Sequence, residues 1–133
     1  MPKEGIFARV MKGGQLIAGD ELEYVPRILN IHIITLSDRA SRGEYKDLSG
    51  PQIKTLSEKY FTEINRKSQF TNHLIGDDPD ELRSLIVSAL AEKADVIFTT
   101  GGTGIGPRDI TPETVNPMLD KEIQGIMELI RVK

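Results

Sequence analysis

Residues 28–36 read Ile-Leu-Asn-Ile-His-Ile-Ile-Thr-Leu, a nearly unbroken apolar and β-branched run. A strand with one wet face alternates apolar and polar residues. A strand without that alternation has to be covered on both faces, as in a parallel sheet lying between helices. The rest of the chain supplies the covering pieces. Ser49-Gly50-Pro51-Gln52 opens a helix with proline in its first turn, and Ile53, Leu56 and Tyr60 give an apolar stripe. Phe70 to Ile75 reads as a second strand. Asp78-Pro79-Asp80-Glu81 is a strong helix start: Asp78 suits the cap, Pro79 the first helical position, and Glu81 a capping-box partner. Leu82, Leu85, Ile86, Ala89 and Leu90 then follow on one helical face. Asp95 to Thr100 is a third strand. Thr111-Pro112-Glu113 opens another helix with Thr111 as cap, and Glu122 to Ile130 forms a last one. The order β-α-β-α-β-α predicts an α/β fold: three layers, a mainly parallel sheet and helices on both faces.

A length of 133 residues suits one such domain. Residues 27–133 would form it, and residues 1–26, with Gly5, Gly13, Gly14 and Gly19, read as a short β-rich segment. Its expected strands are Gly5 to Val10, a start at Gln15 to Ile17, and Leu22 to Val25, with turns at Met11 to Gly14 and Gly19-Asp20. A net charge of -3 argues against general nucleic-acid binding. The lack of cysteine excludes disulfides and thiolate metal sites. No apolar run approaches the roughly 20 residues of a membrane span, and no signal peptide is visible, so a cytoplasmic location is expected.

In an open parallel sheet, ligands bind beyond the carboxyl ends of the strands. Three segments therefore matter. Thr100-Gly101-Gly102-Thr103-Gly104 follows the third strand, and its glycines permit positive φ and close approach to a ligand. Its amides suit an anion-binding nest, and a purely structural turn is the alternative. Asp109 follows closely, either as a loop carboxylate or as a ligand for a divalent cation on phosphate oxygens. Arg108 contacts an anion or is solvated. Ser37 and Asp38 stand past the first strand, as turn residues or as hydrogen-bonding groups for a polar heterocycle. Asp77 follows the second strand and, unlike Asp78, has no capping role. Asp38, Asp77 and Asp109 would converge at one sheet edge. Carboxylates beside a phosphate nest repel an anion unless a cation intervenes, which implies Mg²⁺ with a nucleotide or phosphorylated ligand. His32 and His73, both in strands, give no ligand pattern.

Together, Thr35 to Ser41, Gly43, Asp47 to Pro51, Thr99 to Gly104 and Pro107 to Glu113 resemble the MogA/MoaB-type molybdopterin-binding domain. The resemblance covers about Ile28 to Arg131. It implies a molybdopterin adenylyltransferase, which transfers AMP from Mg-ATP to the terminal phosphate of molybdopterin and releases pyrophosphate. On that reading Asp77 and Asp109 are the metal-holding and catalytic acids. Gly101, Gly102, Thr103 and Gly104 contact phosphate, and Ser37 and Asp38 lie near the pterin or nucleotide. The resemblance also implies a homotrimer. A non-catalytic molybdopterin or nucleotide binding module is the alternative. Family members continue past the equivalent of Lys133 with another strand and an Asn-Leu-Pro-Gly-like loop, which implies a C-terminally shortened domain here. Residues 1–26 resemble the tail of a MOSC domain, which implies a fused or adjacent MOSC module.

Overall fold

The computed structural model describes residues 12–132 apart from Leu16, Leu22, Tyr24, Ile105, Pro107, Arg108 and Gln124. The elements are β1 (Leu29–Leu36), α1 (Asp38–Ser41), α2 (Ser49–Glu63), β2 (Ser68–Ile75), α3 (Pro79–Ala91), β3 (Val96–Thr100), α4 (Thr111–Val115), a short 3-10 turn (Asn116–Met118) and α5 (Gly125–Val132). The strands form one sheet in the order β2-β1-β3. Both pairings are parallel: Leu36 lies opposite Ile75 in β2, and Thr35 opposite Thr100 in β3. The predicted α/β architecture is therefore the observed one. The carboxyl ends of all three strands point the same way, so the segments after Leu36, Ile75 and Thr100 leave from one edge.

β1 is the central strand, and its last six residues are all buried. Ile34 and Leu36 face α3 and pack with Ile75, Leu82 and Ile86, while Leu85, Ile97, Ile110, Val115 and Met118 close around them. Thr35 faces the other way, toward α2, where its hydroxyl meets Asp47. Continuous apolarity in the sequence thus corresponds to a strand covered on both sides.

Asp78 caps α3 as expected, its Oδ1 accepting from the amides of Asp80 and Glu81 at 2.8 and 3.1 Å. Leu82, Ile86 and Ala89 are buried beneath it. Leu90 is exposed, because it falls at the rim of that face. Helix α2 corrects the predicted stripe. Leu56 and Tyr60 are solvent-facing, and the less exposed positions are Gly50, Ile53, Lys54, Ser57 and Phe61. That set also has helical spacing, so the apolar pattern alone does not choose between the two faces.

Two smaller expectations also change. Thr111 does not cap α4: the cap position is Ile110, without a side-chain hydrogen bond. Helix α5 begins at Gly125 rather than enclosing it. In the N-terminal stretch, residues 1–11 lie outside the described residues, and with them the strand expected over Gly5 to Val10. Gln15, Ile17, Glu23 and Val25 are in no strand. The Gly19-Asp20 turn is present, with Asp20 N donating to the Ile17 carbonyl at 3.2 Å and Asp20 Oδ2 accepting from the Ile17 amide at 2.9 Å.

Candidate functional site

The edge formed by the strand ends is stitched together before any ligand is considered. Ser37 N donates to the Ile75 carbonyl at 2.9 Å, joining the loops after β1 and β2. Asp38 Oδ1 accepts from the Asp77 amide, also at 2.9 Å. Asp38, read from sequence as a ligand contact, thus has one oxygen engaged in placing the Asp77 loop. Gly76 lets this approach occur: a Cβ there would stand 3.1 Å from Asp38 Oδ1.

Asp77 itself differs from its neighbours. Its Oδ1 is buried and has no hydrogen-bond partner among the described residues. A buried carboxylate oxygen without a donor is costly unless something else satisfies it. The glycine-rich turn stands beside it: a Cβ built on Gly102 would lie 3.5 Å from Asp77 Oδ1 and 2.7 Å from Thr111 Oγ1. Gly101 and Gly102 have φ of +92° and +58°. Gly101 backs directly onto the Leu36 carbonyl, where any side chain would collide. The turn after β3 therefore requires glycine at both positions. Thr103 and Gly104 are exposed.

Asp109 folds back onto the same turn. Its Oδ2 accepts from the Gly106 amide at 2.8 Å and lies against Gly104, where a Cβ would be 2.5 Å away. The three carboxylates thus occupy one edge in distinct settings: Asp38 bonded to a loop amide, Asp109 bonded to the Gly106 amide just past the glycine turn, and Asp77 with an oxygen unpartnered among the described residues. Among the described residues no group of three or more His, Asp or Glu side chains is placed to hold a metal ion by itself. Asp77 and Asp109 nevertheless offer hard oxygen donors, and Mg²⁺ is ordinarily held by one or two carboxylates with phosphate oxygens and waters completing its shell.

On the α2 side of this edge lies a cleft of about 360 Å³, lined in part by Ser37, Tyr45, Lys46, Asp47, Thr100 and Gly101. Sequence reading gave Tyr45 and Asp47 no individual role. The Tyr45 hydroxyl is 2.8 Å from Ser37 Oγ, and the Arg39 guanidinium sits 5.1 Å from the centre of the Tyr45 ring. Asp47 holds the cleft's back wall. Its Oδ1 accepts from the amides of Ser49 and Gly50, and its Oδ2 accepts from the Thr35 hydroxyl at 3.0 Å. The available signal was an aspartate two residues before a helix start, a local cap pattern. A larger groove of about 690 Å³ lies at the opposite end of the strands, beside Ile28, Arg66, Lys67 and Ser68, and carries none of the candidate residues. His32 is buried on the α3 face, stacked on His73 with centroids 5.8 Å apart, and takes no part in the edge.

Residues 32–133 match a family model described as "Probable molybdopterin binding domain". The chain is 37% identical over 109 residues to a molybdopterin adenylyltransferase of Pyrococcus furiosus, covering 81% of this chain and 60% of that protein. It is 38% identical over 106 residues to molybdenum cofactor biosynthesis protein B of Staphylococcus carnosus, covering 79% and 59%. The fold matches the crystal structure of the molybdopterin biosynthesis enzyme MoaB from Thermus thermophilus, with a TM-score of 0.66 and 32% identity over 79% of this chain and 64% of that one. The chain thus spans about three fifths of the length of these relatives. With the parallel sheet, the glycine turn and its flanking aspartates on the matched stretch, the chain belongs to the molybdopterin-binding domain family.

Proposed function

We propose that this chain acts in molybdenum cofactor biosynthesis as a molybdopterin adenylyltransferase. The observation that carries the reading is the buried Asp77 Oδ1 beside the glycine turn, without a partner among the described residues. An oxygen so placed is suited to a bound cation and poorly suited to a merely structural loop. The names of the relatives supply the reaction class. In it, a terminal phosphate oxygen of molybdopterin attacks the α-phosphorus of ATP, the bond from that phosphorus to the bridging oxygen breaks, and pyrophosphate leaves with the electron pair.

The acceptor phosphate is the nucleophile, so the protein's work is positioning and charge neutralisation. Gly101 to Gly104 offer backbone amides to phosphate oxygens. Asp77 and Asp109 would hold Mg²⁺, which when bound neutralises charge on the transferring phosphate. Ser37 and Tyr45 present hydroxyls to the polar rim of a heterocycle in the adjoining cleft, and Asp38 fixes the Asp77 loop. No helix among the described residues is long and apolar enough to cross a membrane. A cytoplasmic location, a homotrimeric assembly and a fused or adjacent MOSC module belong to the same proposal and rest on the family resemblance.

The test is pyrophosphate release from Mg-ATP with molybdopterin supplied. Asp77→Asn and Asp109→Asn keep shape and remove charge, so each should lower turnover by about 10²-fold or more while melting as the wild type does. Full activity in a folded Asp109→Asn protein would remove Asp109 from the mechanism. Binding of molybdopterin by the wild type with no pyrophosphate release would replace the enzyme reading with that of a binding module.

A further inference from the structure

We propose that Thr111 is a positioning residue that sets the glycine-rich turn in its ligand-binding shape; the consequence for ligand affinity rests on the phosphate-binding reading of that turn. Thr111 is the first residue of α4 and is 4% exposed. A buried hydroxyl needs a partner, and none of its bonds is a helix cap. Instead Thr111 Oγ1 donates to the Gly101 carbonyl at 2.9 Å, and Thr111 N donates to the Gly102 carbonyl at 3.0 Å. One residue, nine and ten positions downstream, thus holds two consecutive carbonyls of the turn.

The direction of those bonds matters. In a planar trans peptide the carbonyl and the following N–H point opposite ways. Drawing the Gly101 and Gly102 carbonyls toward Thr111 therefore turns the amides of Gly102 and Thr103 away from it. No described residue uses either amide. Successive outward amides in a turn of this kind make an anion nest. Thr111 Oγ1 and Asp77 Oδ1 also flank the space left by the missing Gly102 side chain. The hydroxyl and the unpartnered carboxylate oxygen thus share a wall. A threonine meets both demands: its hydroxyl ties the turn, and its branched stem restricts the rotamer.

The experiment compares Thr111→Val, Thr111→Ser and Thr111→Ala in the intact chain. Ligand-free ¹⁵N–¹H spectra come first. In Thr111→Val the Gly102 and Thr103 amide resonances should move further than those of β1, and in Thr111→Ser they should return near their wild-type positions. Calorimetric titration with Mg-ATP follows: Thr111→Val should lose about tenfold or more in affinity, and Thr111→Ser should stay within about threefold of wild type. If Thr111→Val does not fold, the Ser and Ala variants, which differ by the hydroxyl alone, should show the same contrast. Unchanged Gly102 and Thr103 amides in a folded variant lacking the hydroxyl would overturn the proposal. Shifted amides with no Mg-ATP binding even by the wild type would uphold Thr111 as the positioning residue and defeat the phosphate reading instead.

Discussion

Helices α2 and α3 cover opposite faces of the same sheet, and their sequences look equally amphipathic, yet they are seated in different ways. Under α3 the sheet presents Ile34, Leu36 and Ile75, and the helix answers with Leu82 and Ile86, forming the buried core. Under α2 the sheet presents Ile31 and Ile33, and the helix itself buries only Gly50, while Leu56 and Tyr60 are 60% and 57% exposed. The helix is located at its amino end by Asp47, which reaches both its first amides and the Thr35 hydroxyl. Both helices thus cover apolar residues of β1, and α2 has in addition a polar anchor at its amino end. The difference bears on function, because Asp77 and the glycine turn lie by the α3 core, whereas the Tyr45 cleft is backed by the α2 anchor.

Substitutions can break this contrast. The largest effect is expected at Leu82, which has no exposed surface. Leu82→Ala should destabilise the fold by about 2–5 kcal/mol in urea unfolding, through lost transfer energy and a cavity. A loss below about 1 kcal/mol would mean that the α3 core is not the main support. Next is Asp47→Ala, expected to cost about 2–3 kcal/mol, because it removes a helix-start acceptor and leaves the Thr35 hydroxyl without its partner. Asp78→Ala removes a cap only and should cost about 1 kcal/mol. Equal costs at the two aspartates would show that the Thr35 bond adds nothing. The smallest effect belongs to Leu56→Ala, which should stay within about 0.5 kcal/mol despite deleting a leucine from an apolar stripe. A cost near that of Leu82→Ala would show that a partner covers this face of α2 in solution.

The site was partly legible in the sequence. The glycine turn could be placed after a strand, and Asp77 could be separated from Asp78, because capping is local chemistry that Asp78 satisfies with amides two and three residues away. Asp38 reads from the sequence as a turn residue or a ligand contact, and that one of its oxygens accepts from the Asp77 amide, 39 residues away, is visible only in the fold. Thr111 was read as a cap, since threonine before Pro-Glu is a familiar helix start. Its hydroxyl instead reaches Gly101 across the turn.

The sequence by itself determined the alternation of strands and helices, the double burial of β1, the Asp78 cap and the turn glycines. Each follows from periodicity or from bonds between residues a few positions apart. Only the tertiary structure decided which side of α2 meets the sheet, which carboxylate is left without a donor, and where the Thr111 hydroxyl is bound. Those outcomes depend on groups brought together by parallel strand pairing, in which Leu36 comes beside Ile75 and Thr35 beside Thr100. A hydroxyl or carboxylate has the same bonding capacity wherever it stands, and the fold selects its partner by placing one within reach.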